Sequence, residues 1–240
     1  MSILRDAIDK IVELAAPTVI EVDGKTYAKE KFKEVKEAVY YPECVYFSEL
    51  SGLVKMIEEE AVNTYDGKIY IRVHQHNAVD VFTSLDEYKS RSTIYKATAD
   101  VPGFREGYKE QEEMIIQLRS LFLQTPDVTY LLDLLSRMTD TEKATTRDNG
   151  VTQIVEAKKG ISLKEAVEVR PRVKLTPFRT FLEVEPPESE FILRINPSGD
   201  IGLFEADGGV WKLVAKRTIK QYLENALKDL IDSGRVVVTM

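Results

Sequence analysis

The sequence predicts an α+β fold, in which antiparallel β-hairpins and a meander pack with amphipathic helices around a central helical pair. Two observations predict it. Short runs of alternating apolar and polar residues are separated by turn pairs such as Asp23-Gly24, which is typical of antiparallel strands with one buried face. Other stretches carry apolar residues three and four positions apart, which indicates helices with one buried side.

The first part of the chain alternates helices with hairpins. Apolar residues at helical spacing run from Ser2 to Ala16. Asp23-Gly24 tolerates the positive φ angles of a tight turn and therefore predicts a hairpin. The further elements expected here are a short buried strand at Cys44–Phe47, a helix capped by Ser48, a second hairpin of Lys68–His74 and Ala78–Thr83, and a strand at Arg91–Thr98.

The central helices and a second β region follow. Tyr108–Gln124 carries an apolar stripe, and Pro126-Asp127 opens another helix. From Lys143 onward we expect strands, a last helix and a closing strand. The signals are turns at Asn149-Gly150, Pro197–Gly199 and Asp207–Gly209, a helix from Thr218 capped by Thr218 and Gln221, a helix end at Gly234, and a strand at Arg235–Met240.

The sequence shows few signals of a domain boundary, so we expect one domain. Neither an internal repeat nor a Gly/Ser linker interrupts residues 1–240. Residues 105–140 then form a helical insertion between two β regions.

Charge and cysteine content limit the classes of function. The formal charge is −7, which repels a polyanion at long range, so any nucleic-acid site must be a local basic patch. Cys44 is the single cysteine, which excludes an intramolecular disulfide and suits a reducing compartment. The sequence contains no run of about 20 apolar residues, which a membrane span would need. We therefore expect a cytoplasmic protein without a membrane partner.

Common catalytic signatures are missing. The sequence contains no phosphate-binding loop, dinucleotide fingerprint, nucleophile elbow or His-Glu-x-x-His pair. This favours a non-enzymatic protein without a cofactor. His74 and His76 stand two apart, and Asp80 follows across the turn, which together resemble part of a metal site. Because a third nitrogen or sulfur ligand is lacking, we expect no bound metal.

An enzymatic alternative rests on a short motif. Glu156-Ala157-Lys158 after a predicted strand, with Pro126-Asp127 upstream, matches the two halves of a metal-dependent nuclease or phosphodiesterase motif. In that motif carboxylates hold a divalent ion and the lysine orients the attacking water. A helix separates the halves here, and Asp127 stands at a helix start, which disfavours this alternative.

The predicted strand Val167–Leu175 carries a row of cations. Arg170, Arg172 and Lys174 alternate with apolar residues and share one face, and Phe178 and Arg179 follow closely. Such a row can bind phosphates while the phenylalanine stacks on a base, which makes these five residues the candidate ligand site. The competing interpretation is a solvated strand whose cations pair with the acidic run Glu183–Glu190.

The order of elements resembles the YfdQ-like proteins of tailed phages and prophages. The matching segments are Phe47-Ser48-Glu49-Leu50 opening a helix, the Gln-rich helix Gln111–Phe122 before Thr125-Pro126-Asp127, and the β stretches Val173–Phe181 and Phe191–Phe204. The resemblance implies a phage protein in the bacterial cytoplasm that handles DNA or counters host defence. It implies no catalytic residues.

Together these observations favour a phage or prophage protein that self-associates and binds a phosphate-bearing ligand, a nucleotide or nucleic acid. Self-association is expected because Val236, Val237 and Val238 are apolar on both strand faces and must be buried, within one sheet or against a second copy. Two alternatives stay open. One is the nuclease, and the other is an assembly or shell-forming protein without a small ligand.

Overall fold

The computed structural model describes residues 7–11, 19–28, 33–35, 43–87, 89–139, 143–148, 153–159 and 162–240. By its internal contacts the chain separates into two compact units, residues 1–42 and residues 43–240. The domain boundaries drawn from the sequence stay a prediction. Helices and strands both contribute substantially, so the α+β class is confirmed.

The first unit contains a three-stranded antiparallel sheet. Residues 7–11 are helical. The strands are β1 (Val19–Val22), β2 (Lys25–Ala28) and β3 (Lys33–Val35), in that order across the sheet. Asp23 and Gly24 have φ angles of 52° and 73°, as a tight turn requires. The predicted hairpin is confirmed.

The second unit holds the other strands and helices. They are, in chain order, β4 (Val45–Phe47), α1 (Leu50–Met56), a π-helical turn (Ile57–Ala61), α2 (Val62–Thr64), β5 (Ile69–Gln75), β6 (Ala78–Phe82), β7 (Thr93–Thr98), β8 (Gly107–Lys109), α3 (Gln111–Ser120), α4 (Pro126–Thr139), β9 (Lys143–Asp148), β10 (Gln153–Lys159), β11 (Ser162–Val169), β12 (Arg172–Leu175), β13 (Ser189–Ile195), β14 (Ile201–Glu205), α5 (Val210–Ala226), α6 (Lys228–Asp232) and β15 (Val236–Thr239).

A five-stranded sheet organises one hydrophobic core. Its order is β15-β5-β6-β7-β4, and the hairpin β5–β6 and the strand β7 lie where the sequence predicts them. β15 runs parallel to β5, and β4 runs parallel to β7, whereas the inner pairs are antiparallel. One face of this sheet packs on α1, the π-helical turn and α5. The buried side chains there include Ile69, Ile71, Val73, Val79, Val81, Leu50, Leu53, Ile57, Ile219 and Leu223.

A four-stranded antiparallel sheet organises a second core. Its order is β12-β13-β14-β8, and α3 and α4 supply the helical side. The central helical pair is therefore confirmed. The strands β9, β10 and β11 form a third, antiparallel sheet with β10 in the middle. The predicted turn at Asn149-Gly150 lies outside the described residues.

The structure corrects two predictions near α5. Asp207-Gly208 opens a helix instead of turning a hairpin, because the Asp207 carboxylate accepts the N–H groups of Gly209 at 3.0 Å and Trp211 at 3.2 Å. The helix predicted from Thr218 already begins at Val210. Thr218 does not cap it, since its hydroxyl donates to the Ala215 carbonyl at 2.9 Å inside the helix.

Two further corrections concern strands and one concerns a cap. The single strand predicted over Val167–Leu175 is broken, since β11 ends at Val169 and β12 begins at Arg172 in another sheet. The strand at Cys44–Phe47 is an exposed edge strand, not a buried one. Ser48 does not cap α1. The Glu183 carboxylate, distant in sequence, accepts the N–H groups of Leu50 at 3.1 Å and Ser51 at 2.8 Å.

Candidate functional site

The cations predicted to bind a ligand lie beside carboxylates. Arg172 pairs with Glu190 at 2.7 Å, and Lys174 pairs with Glu188 at 3.4 Å. Arg170 lies 3.5 Å from the Asp127 carboxylate and 4.3 Å from the centre of the Tyr130 ring. Each cation of the row Arg170, Arg172 and Lys174 thus lies beside a carboxylate. Its positive charge is offset locally, although the side chains stay accessible to solvent.

Arg179 does not join that row. It is only 7% exposed, and its guanidinium pairs with Glu205 and Ser189 and lies 3.5 Å from the Trp211 ring centre. Burial lowers the pKa of Arg179 to about 10, against the opposing effect of Glu205, so it stays charged at neutral pH. Phe178 is half-buried, and its N–H donates to the Leu121 carbonyl at 2.8 Å. These two residues occupy structural positions between β12 and β13.

His74 and His76 contact different partners. His74 Nδ1 lies 3.2 Å from Asp80 Oδ2, whereas the His76 ring contacts the edge of Trp211 at a centroid distance of 4.7 Å. No group of three His, Cys, Asp or Glu residues that could hold a metal ion is found in the part of the chain that the structure describes. The arrangement of His74, His76 and Asp80 therefore does not match a metal site.

The nuclease motif is also dispersed. Glu156 and Lys158 lie on β10, and their side chains are outside the described residues. Asp127 lies in the first turn of α4, where one carboxylate oxygen accepts the Lys174 N–H at 2.7 Å and the other faces Arg170. Asp127 thus has a structural role in joining α4 to β12.

The face of the five-stranded sheet opposite the helices carries a different set of residues. On β5 the side chains of Ile69, Ile71 and Val73 are fully buried in the core. The alternate positions therefore point to the opposite face. The outward side chains of β5 and of the residue before it are those of Lys68, Tyr70, Arg72 and His74.

A row of paired residues crosses this face. Cross-strand register places one residue from each strand side by side. From one edge of the sheet to the other, the row reads Thr239, Arg72, Asp80, Lys96 and Tyr46. The Tyr46 side chain is 72% exposed, the highest value among the large hydrophobic residues that the structure describes. An aromatic ring this open contributes little to the core.

A second row adds aromatic rings and another cation. Tyr70 and Phe82 face each other across β5 and β6, with ring centres 5.8 Å apart and planes 8° from parallel. The Arg91 guanidinium lies over both rings, at 4.6 Å from Tyr70 and 5.4 Å from Phe82. We call Tyr46, Tyr70, Arg72, Phe82, Arg91 and Lys96 the open sheet face.

Electrostatics distinguish this face from the predicted row. Asp80 lies between Arg72 and Lys96 in the cross-strand register, and its carboxylate accepts a hydrogen bond from Arg72 at 2.9 Å. Within the described ranges, Arg91 and Lys96 have no carboxylate within ion-pair distance. Since Arg91 and Lys96 form no ion pair in those ranges and lie beside the exposed Tyr46 ring and the half-buried Tyr70 and Phe82 rings, the open sheet face can attract anions and offers stacking surfaces.

Two clefts in the described part of the chain do not suit an anion. One of about 430 Å³ lies between α3 and the Asn196–Asp200 turn, and Glu110, Glu112 and Asp200 line it. The other, of about 280 Å³, is lined by Glu49, Asp100 and Glu183. These carboxylates repel phosphate, so neither cleft competes with the open sheet face for a phosphate-bearing ligand.

A signal for this face was present in the sequence. The segment Lys68–His74 alternates polar or aromatic residues with Ile69, Ile71 and Val73. The apolar side of this alternation predicts the strand, and the polar and aromatic side contains Tyr70 and Arg72 of the open sheet face. Tyr46 and Lys96 gave no such signal because their proximity depends on the parallel pairing of β4 with β7.

Comparison of the chain with family models, with curated proteins and with solved structures finds no match. Among the described residues, no helix is long and apolar enough to cross a membrane.

Proposed function

We propose that this protein acts by binding a phosphate-bearing ligand, a nucleotide or nucleic acid, on the open sheet face, and that it does not catalyse a reaction. One observation carries the proposal. Arg91 and Lys96 form no ion pair in the described ranges, and they lie on the same sheet face as the exposed Tyr46 and the half-buried Tyr70 and Phe82. Cations that bind phosphates beside rings that stack on bases are the usual elements of such a site.

Asp80 supports the proposal by orienting its neighbours. Its carboxylate is nearly buried and accepts a hydrogen bond from Arg72, with His74 at 3.2 Å. A planar guanidinium held in place loses less conformational entropy when it binds a phosphate. Arg72 is half exposed, so its remaining N–H groups can reach a ligand.

The test compares two double variants of equal charge. Arg91→Gln with Lys96→Gln removes two cations from the open sheet face, and Arg172→Gln with Lys174→Gln removes two from the predicted row. Fluorescence anisotropy measures the binding of a labelled oligonucleotide and of a labelled nucleoside triphosphate, with and without magnesium.

We expect the first variant to bind at least about tenfold more weakly, because hydrogen bonds to charged groups contribute about 1.5–3 kcal/mol each. The second should bind like the parent protein. The reverse result would restore the row predicted from the sequence. Cleavage of either probe in the presence of magnesium would favour the nuclease alternative.

An assembly function is a second candidate, and the position of β15 favours it. β15 is an edge strand that pairs with β5 alone among the described strands, although Val237 and Val238 are apolar. The Arg235 carbonyl accepts the Ile69 N–H, so in the alternating ladder the Val238 N–H faces away from β5. This free edge can pair with a second copy.

Self-association is tested by Val238→Pro, which removes the outward N–H and leaves the ladder to β5 in place. We expect the mass from light scattering to fall to that of one chain. Val237→Thr, which keeps the backbone donors, serves as the control and should leave the mass unchanged. A parent protein that is already monomeric contradicts both self-association and the assembly function.

We also propose that the protein is a YfdQ-like phage or prophage product that acts in the bacterial cytoplasm, in DNA handling or counter-defence. The order of elements named above supports this, from the helix opened by Leu50 to the late β stretches. Ligand binding on the open sheet face fits such a role. The test is whether the transcript rises early after infection or prophage induction; a transcript that does not respond contradicts it.

A further inference from the structure

The open sheet face is broad. Five strands leave four spacings of about 4.8 Å, so the sheet is about 19 Å across. A major groove of B-form DNA is about 12 Å wide and admits a helix or a two-stranded ribbon. A face of this width cannot enter the groove, which leaves the base edges of a duplex out of reach.

The rings stand where bases of an unpaired strand could reach them. Tyr46 is directly beside Lys96 in the cross-strand register, about 5 Å away by strand spacing. At the other side, Arg91 covers Tyr70 at 4.6 Å. The face thus presents Tyr46 on one edge strand and the Arg91–Tyr70 pair at β5, and the cations Lys96 on β7 and Arg72 on β5 lie on either side of Asp80, about 10 Å apart across two spacings.

We infer that the ligand is single-stranded nucleic acid, whose bases stack on Tyr46 and on the Arg91–Tyr70 pair while its phosphates contact Lys96 and Arg72. This inference rests on the proposed function and names its ligand class. Stacking requires unpaired bases, since a duplex keeps its bases covered by their neighbours. Cations alone would bind either form, so the exposed Tyr46 ring is what selects the single strand.

A free nucleotide fits the face less well. Sites for small molecules are concave and enclose most of the ligand. The described clefts lie elsewhere and are lined by carboxylates. An open face gains affinity by contacting several nucleotides at once, so a strand of several nucleotides gains where a mononucleotide does not.

The experiment measures the affinity of the full chain and of two matched tyrosine variants. The probes are a fluorescein-labelled single strand of mixed sequence of about 12 nucleotides, the duplex of the same sequence, and a labelled nucleoside triphosphate. The variants are Tyr46→Ala and Tyr108→Ala. Tyr108 is also an exposed tyrosine, 48% accessible, but it lies on β8 of the four-stranded sheet.

We expect the parent to prefer the single strand, and Tyr46→Ala to weaken that binding by about 5- to 150-fold, as loss of one stacked base does. Tyr46→Phe should restore it, and Tyr108→Ala should change nothing. Equal affinity for strand and duplex, or no loss with Tyr46→Ala, overturns the single-strand inference. In that case the proposed function stands if Arg91→Gln with Lys96→Gln still weakens binding. If no probe binds the parent protein, the proposed function fails too.

Discussion

Two cationic surfaces of this protein differ in what surrounds the cations. In the row Arg170, Arg172 and Lys174, each side chain lies within 3.5 Å of a carboxylate. On the open sheet face, Arg91 and Lys96 have no carboxylate partner among the described residues, and aromatic rings lie beside them. The comparison teaches that a row of cations in a sequence does not by itself predict a ligand site, because carboxylates from other segments of the chain can pair with it.

Arg179 gives the largest effect by which this comparison can be sharpened. Its position in the sequence predicts that it joins the row, but it is buried against Glu205 and Trp211. Arg179→Ala leaves the half-buried Glu205 carboxylate without its ion-pair partner, with the Trp211 indole N–H as its remaining donor, so we expect it to lower the free energy of unfolding by about 3–5 kcal/mol. Chemical denaturation monitored by circular dichroism measures this.

The control for that prediction is Arg172→Ala. Its ion pair with Glu190 is solvent-exposed, so its loss should cost about 1 kcal/mol or less. A similar loss in both variants would show that Arg179 belongs with the exposed row after all.

His76 predicts a smaller, pH-dependent effect. Burial lowers the pKa of His76 below its ordinary 6.5, and the nearby cations Lys212 and Arg179 lower it further. The unfolded chain therefore takes up the proton more readily than the folded chain. The contribution of neutral His76 to the free energy of unfolding is fully present above pH 6.5. It is lost as the pH falls from there through the lower pKa of the folded state.

Melting curves between pH 8 and pH 5 check this, with about 6.5 as the unfolded reference. We expect His76→Gln to reduce the fall in melting temperature over that interval. A variant with the same pH profile as the parent would show that His76 does not contribute to it.

Local signals account for much of the fold. Asp23-Gly24, the alternation of Ile69, Ile71 and Val73, and the apolar stripes of α3 and α4 each decide their structure within a few residues. The pairing of β15 with β5 and of β4 with β7 could not be predicted, because parallel pairs join segments far apart in the chain.

The candidate site was harder to predict for the same reason. Tyr46 and Lys96 meet only through that parallel pair.

The hairpin predicted at Asp207-Gly208-Gly209 is wrong, because a glycine pair with positive φ can open a helix as well as a hairpin. The Asp207 carboxylate, which accepts backbone N–H groups at the start of the helix, decides between the two. What the sequence did show, the Lys68–His74 alternation, marks the strand at the centre of the proposed interface.

The salt dependence of binding tests the central claim most directly. For single strands, log Kd changes with log salt concentration by about 0.7 for each phosphate contact. If the open sheet face binds the strand, with Lys96 on a phosphate and Arg91 stacked on a base, Arg91→Gln with Lys96→Gln reduces that slope by about 0.7, and Arg172→Gln with Lys174→Gln leaves it unchanged. An unchanged slope for the first variant and a reduced slope for the second would contradict the account and place the ligand on the row instead.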